Sequence, residues 1–234
     1  MTQASPGRRW LGGARTTVPA RRSPQGRYGV LLLVLVASYL LSAFSGKRLE
    51  TDLQIGLFVV VLLLALRTSS LRRGHRLLFG GVAVAGSAAA LGLALTDTEA
   101  GLGAAELWKG VILMLAAVLI VRRVLAKPTV TIQSIYGALS TYIIVGLMFA
   151  AFYAAIGHLG GGHFFADNQP ADTQTYQYFS FTTLTTLGYG DFTAAGNGGR
   201  AIAVMEALTG QIFLATLVAR LVAAFRAPAE PPGE

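Results

Sequence analysis

Six apolar stretches are spaced along the chain, each bounded by charged or turn-forming residues: 28–44, 53–66, 77–95, 107–125, 135–156 and 201–225. A helix that crosses the bilayer core needs about 20 mostly apolar residues. The pattern therefore predicts an all-α integral membrane fold with six transmembrane helices. The stretch 53–66 is short and must borrow residues from Leu49 onward or thin the bilayer locally. The third stretch is dense in Gly and Ala from Gly80 to Gly92, a composition that lets helices approach closely in lipid. The first run is followed by the small-residue string Ser42-Ala43-Phe44-Ser45 and could be taken for a signal core. It is longer than such a core and reads as an uncleaved span. Residues 157–200, between the fifth and sixth stretches, are too long and too patterned for a simple loop.

Composition supports the membrane class. The chain is 53% hydrophobic and 13% charged, whereas about a quarter of the residues of a soluble domain are charged. The net charge of +8 does not point to nucleic acid, because the basic residues sit at the ends of apolar stretches, where they set topology. Residues 1–27 carry six arginines among Pro, Gly, Ser and Thr and read as a disordered basic arm held in the cytoplasm. With that end inside, the inner segments carry Arg67, Arg72, Arg73 and Arg76, then Arg122, Arg123 and Lys127, then Arg220 and Arg226. The outer segments carry Glu50, Asp52, Asp97, Glu99, Glu106, Asp167, Asp172 and Asp191. This asymmetry agrees with six spans in the inner cell membrane and both termini cytoplasmic. The absence of cysteine excludes disulfides and thiolate metal sites.

One string inside 157–200 carries the chemistry: Thr186-Leu187-Gly188-Tyr189-Gly190-Asp191. It resembles the selectivity-filter signature of potassium channels, and the resemblance covers roughly residues 129–225. A dehydrated potassium ion needs oxygens in place of its water, and a filter supplies them as rings of backbone carbonyls. Aligning those carbonyls requires left-handed backbone angles, which Gly188 and Gly190 reach without steric cost. The resemblance implies K+ sites at the carbonyls of Thr186, Leu187, Gly188 and Tyr189, with the Thr186 hydroxyl at the inner mouth and Gly190 completing the filter. It also implies that residues 176–185 form a re-entrant pore helix whose C-terminal dipole favours a cation. Read by itself, that segment also fits an interfacial aromatic helix.

The same resemblance distributes further roles. Asp191 matches the aspartate outside the filter and is expected to anchor it to pore-helix groups, with Thr182 and Thr185 as further support. Where many potassium channels brace the filter with an acidic residue or a tryptophan pair, this sequence has Thr182 and the pair Tyr178-Phe179. Gly210 matches the spacing of an inner-helix gating hinge, with small-residue packing as the alternative. Gln211 is expected to face a water-filled cavity. Glu206 is expected to turn toward the pore helix in a structural hydrogen bond, its carboxyl able to carry a proton, in preference to an ion-binding role.

The fourth stretch has Lys109 at one end and Arg122-Arg123 at the other, without the arginine ladder of a voltage sensor. These end charges are expected to snorkel to the interfaces. The first four spans thus read as a scaffold, and open probability is expected to depend weakly on membrane potential. His158 and His163, with Asp167, read as a solvated outer turn rather than a metal site. The tail after Arg226 is expected to be too short for a sensing domain. The organisation is then a basic arm (1–27), a four-helix domain (28–127), a pore domain (128–227) and a tail (228–234). No catalytic motif and no cofactor is expected, only potassium as permeant ligand. One filter per chain implies a homotetramer in contact with membrane lipid and no nucleic acid. The competing readings are a non-conducting regulatory or scaffold subunit with a pore-like hairpin, and a potassium transporter subunit.

Overall fold

In a computed structural model, the structure describes residues 27–44, 73–126 and 130–226. The predicted span at 53–66, the basic arm before Arg27 and the tail after Arg226 lie outside the described residues. Among those described, six α-helices follow one another: α1 (Arg27–Phe44), α2 (Arg73–Ala94), α3 (Glu99–Leu125), α4 (Ile132–Leu159), α5 (Thr173–Leu184) and α6 (Asn197–Arg226). No strand is present among these residues, only an isolated antiparallel bridge between Phe165 and Ala194. Four helices contain stretches long and apolar enough to cross a membrane: Leu77–Ala94, Glu99–Leu125, Ile132–Leu159 and Asn197–Ala223. The chain is a multi-pass membrane protein.

Helix α4 is the centre of the molecule. It packs most extensively on α3 and also touches α1, α5 and α6. About 72% of its span is buried within the chain, against 11% for α6. Small residues set these contacts. Gly86 of α2 lies under the Trp108 ring of α3, where a Cβ would come within 2.0 Å of ring carbon, and Trp108 Nε1 donates to Ser87 Oγ at 3.3 Å. Gly110 of α3 makes room for Phe152, and Gly146 of α4 for Phe181 of α5. The close approach expected for the Gly/Ala-rich third stretch is thus made against a tryptophan, a contact of large van der Waals area.

Helix α3 corrects the sequence reading at one point. Thr98 accepts the Gly101 N–H as N-cap, so the helix starts at Glu99 rather than at 107. Lys109 therefore lies inside the helix and does not snorkel. It pairs with Glu106 one turn earlier, 2.5 Å away, with side chains only 12% and 19% exposed. Two buried charges of opposite sign relieve the penalty that either would meet alone. At the other end Arg122 and Arg123 fall in the last turn, where they also offset the helix dipole.

Candidate functional site

Between α4 and α6 the chain folds back on itself. Asp172 caps α5 by accepting the Thr175 N–H. The segment before α5 is tied to the segment after the Thr186–Asp191 string by Ala166 N–H to Thr193 O (2.8 Å) and Ala195 N–H to Phe164 O (2.9 Å). Phe164 and Phe165 turn inward, and with Tyr153, Tyr176 and Phe179 they form an aromatic layer behind α5. These two phenylalanines belong to the region read as a solvated turn. Of that turn only part is solvated: His163 and Asp167 are exposed, while His158 is half-buried and pairs with Glu99 at 2.7 Å. Among the described residues no cluster of three His, Cys, Asp or Glu could hold a metal.

The string itself leaves the C-terminus of α5. A helix end exposes carbonyls that lack intrahelical partners, and here the string supplies them. Thr186 N–H bonds Thr183 O at 2.9 Å, and Leu187 and Gly188 N–H both bond Thr182 O, at 2.8 and 3.1 Å. Leu184 O receives the Tyr142 hydroxyl of α4 at 3.3 Å. The φ angles of Thr186, Gly188 and Gly190 are +57°, +51° and +80°, while Leu187 and Tyr189 are outside the left-handed region. Alternating hands carry a backbone forward nearly straight, with successive N–H groups on one side and carbonyls on the other. The N–H groups of 186–188 turn back to α5. A β-branched threonine at positive φ is strained, at about 1–3 kcal/mol. Nothing in the sequence marked Thr186 for that angle.

The expected supports act in different ways. Thr182 holds the string through its backbone carbonyl; its hydroxyl bonds Phe179 O within α5. Thr185 likewise spends its hydroxyl on Phe181 O at 2.7 Å. The lateral brace is Tyr178, which donates its phenol to Asp191 Oδ2 at 2.7 Å and stacks on the Tyr189 ring with centroids 6.5 Å apart. Asp191 also accepts its neighbour Phe192 N–H, and its carbonyl accepts Gln169 Nε2. The hydrogen bond to Asp191, with partial desolvation and the nearby charge, pushes the Tyr178 phenol up to about 12. A raised phenol favours the protonated fold. The bond is therefore complete below the ordinary tyrosine range and is lost as pH rises through about 12. Tyr178→Phe removes this bond and should lower the melting temperature of the folded protein. Thermal melts of the two proteins check this, and identical curves would count against the brace.

Three residues of α6 reach α5 or the string. Glu206 is fully buried, accepts the Tyr153 hydroxyl of α4 at 2.6 Å and lies 2.5 Å from the Ser180 hydroxyl of α5. Gly210 lies against the last turn of α5, where a Cβ would fall 2.2 Å from Leu184 O. The helix runs without interruption through this residue. This close approach fits the packing role named as the alternative to a hinge. Gln211 is exposed, and its amide donates to Thr186 Oγ1 at 3.2 Å. Ser180, Tyr153 and Tyr142 escaped the sequence reading. They lie on other helices, and no short-range spacing links them to the string.

Fold and site together define a membrane protein whose C-terminal helical hairpin presents an irregular backbone segment braced from behind. Residues 138–227 match the family described as ion channels. The match covers most of α4, all of α5, the string and α6, and supports an ion-channel function. No curated protein and no solved structure matches the chain.

Proposed function

We propose that this chain is the subunit of a homotetrameric potassium-selective channel that conducts passively through a shared central pore. The observation that carries this reading is the alternation of φ at Thr186, Gly188 and Gly190 in the string Thr-Leu-Gly-Tyr-Gly-Asp. It frees consecutive carbonyls to line an ion path. The carbonyls of Thr186, Leu187, Gly188 and Tyr189 form the K+ sites, α5 is the re-entrant pore helix and α6 lines the inner cavity. Irregular backbone at membrane depth is tolerated where protein buries it or it lines a wet cavity. A channel mouth satisfies that condition.

The tetramer follows from the same element. One chain contributes one strand of carbonyls, and an ion needs a ring. Leu187 and Tyr189 are exposed within the chain, as are Val204, Met205, Leu208, Ile212 and Val218 along α6. Four copies around one axis would cover part of this surface with neighbouring subunits. A repeated head-to-tail contact closes into a cyclic ring. Native mass measurement of the purified protein in mild detergent should give four chains. Monomers and dimers alone would count against the shared pore.

A further inference from the structure

The contacts of Ser180 do not balance as a simple set of donations. Its hydroxyl oxygen is 2.7 Å from Gly146 O of α4 and 2.5 Å from Glu206 Oε1 of α6. A serine hydroxyl has one proton to give. A backbone carbonyl has none. The other carboxyl oxygen, Oε2, already accepts the Tyr153 hydroxyl. If Ser180 donates to Gly146 O, the short contact to Oε1 requires a proton on Glu206. If it donates to Glu206 instead, its oxygen faces the Gly146 carbonyl lone pairs at hydrogen-bond distance with no hydrogen between them.

The surroundings favour the first arrangement. Glu206 is completely buried, and among the described residues no cation is bonded to it. The titratable groups that face it are Tyr153 and Tyr142 of α4, both neutral acids. Helix α5 presents the Ser180 hydroxyl, and on α3 Glu106 and Lys109 form an ion pair with each other. A buried carboxylate without a counter-charge is expensive, whereas a buried carboxylic acid with its donor and acceptor sites filled is not.

We propose that Glu206 is protonated and donates a hydrogen bond to Ser180, which donates its own to the Gly146 carbonyl. The relay Tyr153–Glu206–Ser180–Gly146 then fastens outer helix, pore helix and inner helix at one point. Glu206 is a positioning residue: through Ser180 it fixes the depth and tilt of α5, and so the place of Thr182 O, to which Leu187 and Gly188 are tied. Loss of the proton would force Ser180 to turn to the carboxylate and release α4. The consequence for conduction rests on the channel reading above; the proton assignment does not.

Glu206→Gln keeps the shape and the pattern, since its carbonyl can accept Tyr153 and its amide can donate to Ser180. The experiment is infrared spectroscopy of wild type and Glu206→Gln in lipid at neutral pH. Paired potassium and sodium fluxes are read on these and on Glu206→Ala after size-exclusion confirms assembly. The expected result is a protonated-carboxyl carbonyl band in wild type that vanishes in Glu206→Gln, with potassium preference kept by Gln and lost or weakened by Ala. Absence of the band in wild type, or a loss in Gln as deep as in Ala, would overturn the proposal. A band present in a wild type without selective flux would support the proton assignment and refute the channel reading alone.

Discussion

Replacing Gly188 with alanine is expected to abolish potassium current, or to admit sodium, while leaving membrane insertion intact. The space around a new Cβ is open, with no atom within 4 Å in the chain, so steric crowding is not the cause. The cause is the backbone. At φ +51° an L side chain is held where its Cβ crowds the neighbouring carbonyl, at about 1–2 kcal/mol per chain. In a ring the penalty recurs in every subunit and falls on one ion site. Relaxing it means rotating the peptide on either side, which turns carbonyls away from the ion. Thr186→Ala should be milder: the carbonyl remains and the β-branched strain at φ +57° falls, although the hydroxyl and its Gln211 contact are lost. Paired reversal-potential measurements on the two variants check the ranking. A Gly188→Ala channel with unchanged potassium preference would remove these residues from the conduction path.

Gly210→Ala is expected to be as damaging by another route. The added methyl would meet the backbone carbonyl of Leu184, an atom that cannot rotate aside. Either α6 moves away from α5 or the last turn of α5 shifts, and with it the carbonyls that hold the string. Overpacking of this kind costs about 1–3 kcal/mol per chain. The assembled protein should melt at lower temperature and lose ion preference together. A hinge would behave differently, because stiffening it alters how often the pore opens while the ions that pass stay the same. Normal selectivity with altered open probability would return Gly210 to the hinge role.

What was legible in the sequence follows the range of the interactions. The string 186–191 could be read because it resembles a known filter signature, whose glycines fit left-handed backbone angles, and the spans because hydrophobic runs are local. The start of α3 was misplaced because Glu99, Gly101 and Gly103 look like loop residues, although Thr98 before Glu99 was the capping signal. Lys109 consequently looked terminal when it is paired inside the helix. The burial of Phe164 and Phe165 was hidden by the glycines and histidine beside them. The Tyr153–Glu206 bond joins residues 53 positions apart, and only the packing of α4, α5 and α6 brings it about. The positive φ of Thr186 likewise accompanies the helix-end closure in which its N–H returns to Thr183 O and the Leu187 N–H to Thr182 O.

The most direct measurement is ion flux through the purified protein in liposomes, potassium against sodium, with the Gly188→Ala protein as the paired control. The account expects rapid potassium flux, sodium flux near that of empty vesicles, and collapse of this difference in the variant. Equal passage of both ions by wild type, or no passage of either by protein shown to be assembled and inserted, would contradict it.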